Sequence, residues 1–177
     1  MKIVSKEFSA KILNLFYPNC CLHCSNELEK KYYYFCRRCL MDFSFVSPTY
    51  NSNVFAVFEN SDVFTTILRD MKNQKILSFF KIAAAFIVIQ HFRLKWEKPD
   101  VIISMSNGYV KNHVDQIALD VAHFFNVPFK KRVKATQIAL FIDDVMVLDK
   151  FIQMKKQFIF KKAYALGLCF EIFFDDF

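Results

Sequence analysis

Two Cys-x-x-Cys steps, Cys21-Leu22-His23-Cys24 and Cys36-Arg37-Arg38-Cys39, stand eleven residues apart near the start of this 177-residue chain and constrain it more than any other feature. Each step lets one tight turn offer two thiolates to adjacent corners of a tetrahedron about 2.3 Å from a metal, and two such turns close the site. A closed four-thiolate site holds structure and leaves no position open for catalysis. The spacing therefore predicts a ribbon on a small hairpin, with Cys21, Cys24, Cys36 and Cys39 binding a structural Zn2+. Two disulfides are the alternative, and they need an oxidising compartment. Cys20 can replace Cys21 as first ligand. His23 is a further candidate ligand, with a solvent-facing turn residue the plainer reading when four thiols are at hand. Cys169, far away in an apolar run, reads as a buried thiol.

The length leaves room for one ordinary core plus an appendage of the ribbon's size. Residues are 54% apolar and 23 are Phe, yet the longest unbroken apolar run, Ile82 to Ile89, is far short of the roughly 20 residues of a membrane helix. Phe8, Ile12, Leu13 and Phe16 share a helical face that ends at Pro18, so the N-terminus reads as a short amphipathic helix. Asn14 interrupts its apolar stretch and no small-residue cleavage site follows, so a cytoplasmic location is expected. These features place the helix and ribbon at residues 1–46. The turn-rich stretch Ser47-Pro48-Thr49-Tyr50-Asn51-Ser52-Asn53 reads as a linker, and a second domain is expected over 54–177.

The net charge of +7 is spread over clusters at Lys30-Lys31, Arg37-Arg38, Lys130 to Lys134, Lys155-Lys156 and Lys161-Lys162. A nucleic-acid or other anionic partner is compatible with them, and solvated helix faces explain them equally well. Tyr32-Tyr33-Tyr34-Phe35 alternates as a hairpin strand would, and its rings suit either base stacking or packing of the metal knuckle. Tyr33, Arg37, Arg38, Lys130, Lys131 and Arg132 are the candidate nucleic-acid contacts.

From Val54 onward strands and helices alternate. Strands are expected at Val54 to Phe58, Asp100 to Met105, Ile138 to Ile142 and Leu166 to Phe173. Helices are expected at Ser61 to Lys72, Ile76 to Leu94, Val110 to Phe125 and Leu148 to Ala163. This order predicts an α/β fold with a mainly parallel sheet and flanking helices. Its most telling motif is Ile138-Ala139-Leu140-Phe141-Ile142-Asp143-Asp144, an apolar strand that delivers two carboxylates at its end, where ligands collect in open α/β sheets. Such a pair can accept hydrogen bonds from vicinal hydroxyls or hold hydrated Mg2+; it can equally serve the dipole of the following helix. His91, His113 and His123 are dispersed without a partnered Ser or free Cys, which argues against a nucleophilic triad.

The order of parts resembles the ComF family of competence-associated proteins over nearly the whole chain. The residues that carry the resemblance are the cysteine quartet, Thr66-Ile67-Leu68-Arg69-Asp70-Met71-Lys72, the strand from Pro99 to Ile103, the helix segment Asp115 to Ala122, and Ile142-Asp143-Asp144-Val145. The resemblance implies a zinc ribbon joined to a type I phosphoribosyltransferase-like domain, linked to uptake of single-stranded DNA in natural transformation. It also puts Lys72 near the cleft. In that family a Thr-Thr-Gly-Ala-Thr-like loop follows the acidic pair and wraps a 5-phosphate, as glycine lets backbone N–H groups converge on an anion. Here Val147-Leu148-Asp149-Lys150-Phe151 stands in its place. The prolines of a Val-Pro-Val-Pro-like strand end are replaced in Ile103-Ser104-Met105-Ser106. An Arg-Gly-Phe-Asn-Gln-like motif survives only as Asn112-His113-Val114-Asp115-Gln116, and the long basic loop before the acidic strand is absent. The expectation is a degenerate, non-catalytic accessory factor in DNA uptake or processing, with single-stranded DNA and uptake proteins as partners. The alternative is an active phosphoribosyltransferase that uses Asp143 and Asp144 with phosphoribosyl pyrophosphate and Mg2+ on an unknown acceptor.

Overall fold

The computed structural model describes residues 20–29, 34–48, 52–73, 79–106, 112–133 and 135–170. The expected N-terminal helix, Lys30 to Tyr33, Lys134 and the centre of the linker lie outside these residues. The chain divides into two compact units, Met1–Phe43 and Ser44–Phe177.

In the first unit a turn is tied by Cys21 N–H to the Asn26 carbonyl and Ser25 N–H to the Cys21 carbonyl, with Ser25 at φ 59°. Cys20 forms an antiparallel bridge with Glu27. The second cysteine pair sits on a short helix, α1 (Arg37–Met41), with Cys36 at its N-cap. The spacing predicts a tight turn for this pair, and the first turn of a helix satisfies the same two-residue spacing, because Cys36 and Cys39 are three apart and share a face.

The second unit runs β1 (Val54–Phe58), α2 (Asp62–Lys72), α3 (Phe79–Arg93), β2 (Val101–Ser104), α4 (His113–Phe125), β3 (Phe129–Lys130), β4 (Ala135–Ile142), β5 (Val145–Met146), α5 (Leu148–Lys155) and β6 (Ile159–Phe170). Local chemistry sets most boundaries. Ser61 caps α2 by accepting the Phe64 N–H, Asp62 suits its positive end, and Val63, Phe64, Ile67, Leu68 and Met71 form its buried stripe. Asn112 and Asp115 close α4 with a reciprocal capping box, and Asn126 ends it in the left-handed region at φ 53°.

The strands form one sheet in the order β1-β6-β4-β2-β3, with β5 on β6, and every pairing is parallel. Strands covered on both faces need continuous apolar runs, which Val101 to Ile103, Ala139 to Ile142 and Ala163 to Ala165 supply. Val101, Ile103, Ala139, Phe141, Ala163 and Ala165 pack with Phe151 of α5, while the period of two turns Ile102, Leu140 and Leu166 to the opposite face.

Two expectations are corrected here. The helix from Leu148 stops at Lys155 rather than Ala163, and the last strand begins at Ile159 rather than Leu166. Ile159 to Ala163 pairs with Ala135 to Ala139, so sheet pairing of a β-branched and aromatic run overrides its helix-compatible spacing.

Candidate functional site

Two clusters bear chemistry. In the first unit the Sγ atoms of Cys21, Cys24, Cys36 and Cys39 lie within 4.8 Å of one another, and Cys24 and Cys36 are 3.7 Å apart. Corners of a tetrahedron with 2.3 Å metal–sulfur bonds are separated by about 3.8 Å, so the set has the span of a metal site. Burial lifts Cys39 well above the usual thiol range, and the neighbouring sulfurs of Cys36, Cys21 and Cys24 lift it further. Burial also opposes ionisation of Cys21, but backbone hydrogen bonds from Cys24, Cys36 and His23 to its sulfur bring it to about 6. A cation among the four sulfurs would relieve the crowding that holds the Cys39 proton in place. His23 is half-buried, with Nδ1 3.3 Å from the Cys39 Sγ, so it contacts a sulfur of the quartet from outside instead of pointing to solvent. Cys20, bridged to Glu27, also stands outside the quartet.

The second cluster lies at the carboxyl ends of β2 and β4. From β2 the chain crosses through α4 to β3 on one side, and from β4 it crosses through α5 to β6 on the other. Neighbouring strands whose connections leave in opposite directions open a crevice at the topological switch point. Asp143 and Asp144 bend out of the sheet there, anchored by Asp143 N–H to the Leu166 carbonyl and by Leu168 and Cys169 N–H to the Asp144 carbonyl.

Each buried carboxylate at this crevice has a cationic partner from another segment. Lys150 Nζ is 2.6 Å from Asp143 Oδ2. His113 Nε2 and Lys72 Nζ lie 2.8 Å and 3.3 Å from Asp144 Oδ2. Asp115, 2% exposed, receives the Ser106 hydroxyl at 2.7 Å and the Lys131 ammonium at 2.7 Å. Ser104 donates its hydroxyl to Ser106, so the end of β2 is also self-bonded. Burial pushes the Asp143 carboxyl up to about 6, although Lys150 opposes it. For Asp144 burial acts the same way, but the His113 hydrogen bond and the Lys72 charge outweigh it and hold the carboxyl well below its ordinary range. Burial likewise raises Asp115, and Lys131 and Ser106 more than reverse it.

No family model matches the chain, and no curated protein or solved structure is significantly similar to it.

The structure thus brings Asp143, Asp144 and Lys72 together and adds His113, Lys150, Asp115 and Lys131, which the sequence did not join to them. His113 comes from across 31 residues, a separation at which spacing carries no signal. Lys150 had a local one: it lies seven residues past Asp143, in the first turn of the helix after the acidic strand. Lys131, a candidate nucleic-acid contact, is drawn onto Asp115, whereas Lys130 and Arg132 are exposed. Arg37 and Arg38 are exposed on α1, and Tyr33 lies outside the described residues. Among the described residues no helix is long and apolar enough to cross a membrane.

Proposed function

We propose that the protein is a ComF-like accessory factor: a zinc ribbon joined to a type I phosphoribosyltransferase-like domain that does not transfer phosphoribosyl groups and acts in DNA uptake or processing. The observation that carries this reading is the ammonium of Lys150 on Asp143, beside His113 and Lys72 on Asp144. In a transferase these two carboxylates would take ribose hydroxyls and Mg2+; here the chain's own cations stand against them. The neighbouring anion site is also altered in kind. Helix α5 opens with Val147 at its N-cap, exposed Leu148 and the carboxylate of Asp149, so a phosphate approaching this helix end would meet negative charge in place of convergent N–H groups. Four clustered thiolates suit Zn2+ as the ribbon's metal.

Calorimetry with phosphoribosyl pyrophosphate and Mg2+ tests the reading. Binding weaker than about 10 µM is expected, and a tighter constant, or turnover with any acceptor, would establish the active transferase instead.

A further inference from the structure

The four clustered thiols of the first unit differ in how open they are. Cys21 and Cys39 are each 2% exposed, whereas Cys24 is exposed and Cys36 half-buried. The inner two are also held in place. Backbone N–H groups of Cys24, Cys36 and His23 reach the Cys21 sulfur, and His23 Nδ1 lies 3.3 Å from the Cys39 sulfur. The outer two lie at the surface with their sulfurs 3.7 Å apart, one from each cysteine turn. Each turn therefore places one thiol inside and one outside, and the open edge of the quartet runs from one turn to the other.

Thiols that respond to oxidants are accessible, held as thiolates, and next to a second sulfur that can resolve the first product. Cys24 and Cys36 meet these conditions once a cation is bound, because coordination deprotonates a thiol outright. Arg37 and Arg38, exposed beside Cys36, add positive charge that favours the thiolate. A disulfide of about 2.05 Å asks for a modest rotation of two side chains whose sulfurs already stand 3.7 Å apart. Pairing within a turn, Cys21 with Cys24 or Cys36 with Cys39, would instead draw a buried sulfur out of its contacts. The two remaining thiols do not compete: Cys169 is 1% exposed and in the other unit, and Cys20 stands outside the quartet, bridged to Glu27.

We propose that Cys24 and Cys36 form a peroxide-sensitive site, at which oxidation joins the two cysteine turns by a disulfide and releases the metal. The Cys24 thiolate attacks one oxygen of a hydroperoxide; the O–O bond breaks, hydroxide leaves and a sulfenic acid remains. The Cys36 thiolate then attacks that sulfur, the S–O bond breaks and a second hydroxide leaves. Two protons from solvent convert both hydroxides to water. The two sulfurs give up two electrons in all and the peroxide takes them. The ion leaves as Zn2+, unchanged in oxidation state, because Cys21 and Cys39 alone do not fill its four positions. A dithiol reductant reverses the step by exchange.

The test treats the full, zinc-loaded chain with hydrogen peroxide and follows zinc release with a chromogenic chelator. Alkylation and peptide mass mapping without reduction then locate the disulfide and the remaining thiols. One Cys24–Cys36 disulfide per zinc released is expected, with Cys21 and Cys39 alkylated as free thiols after denaturation. Cys20→Ser with Cys169→Ser should leave that stoichiometry unchanged, and dithiothreitol with added zinc should restore the metal. A first disulfide within either turn or to Cys20, or zinc and all four thiols left intact by peroxide that oxidises free dithiothreitol, would overturn the proposal. It rests on the zinc-ribbon reading only for the ion released. Zinc content measured before oxidation tests that reading, and the disulfide map tests this one whatever the metal content.

Discussion

Replacing Lys150 with methionine removes an ammonium 2.6 Å from a carboxylate whose side chain is 1% exposed. The effect should depend on pH in a way that identifies its cause. In the wild type the Asp143 carboxyl is raised from 3.8 to about 6. The stability linked to a raised carboxyl is fully present below its unfolded pKa and is lost as pH rises through the folded one. In the wild type that loss ends near pH 6, where Asp143 ionises against Lys150. The variant has no such partner, so its carboxyl keeps the proton to higher pH, and each further unit costs about 1.4 kcal/mol relative to the wild type. The gap should be small at pH 5 and reach about 2.7 kcal/mol at pH 8, below the 3 to 5 kcal/mol of a fully orphaned buried charge. The single tryptophan, Trp96, stacks on Tyr164 at 4.6 Å within the α/β unit, so urea unfolding followed by its fluorescence reads this unit alone. A gap that does not change between pH 5 and pH 8, or one under about 1 kcal/mol at pH 8, would refute the argument.

Gly167→Ala should destabilise the α/β unit by about 1 to 3 kcal/mol in thermal melts, because the added Cβ would sit 2.8 Å from the Met146 Cβ and 2.9 Å from its backbone nitrogen. Since β5 must shift to admit it, the Asp144 carbonyl should also lose its bonds to β6, which faster amide exchange at Leu168 and Cys169 would report. Cys36→Ser should abolish stoichiometric zinc and unfold the ribbon, where the metal supplies on the order of 10 kcal/mol, while the Trp96-monitored transition stays within about 1 kcal/mol of wild type. Metal analysis that finds no zinc in wild-type protein prepared without chelator would contradict this.

The features legible in the sequence are those fixed within a few residues of themselves. A helical stretch from Ser61 to Lys72 was legible within one residue of α2, a short apolar run marked β1 at Val54–Phe58, and an apolar run ending in Asp143-Asp144 marked a strand with its acids at the carboxyl end. Two-residue strands such as β3 and β5 are too short to show a period, and Ile159 to Ala163 joined β6 only because β4 lay alongside to pair with it. The partners of the acids were the least legible part. Lys72, His113 and Lys150 reach Asp143 and Asp144 from three different segments. A one-dimensional pattern records which groups a chain carries and how its backbone is locally disposed. Which charges neutralise one another depends on distances of a few ångströms between distant segments, and packing of the sheet and its helices alone sets those.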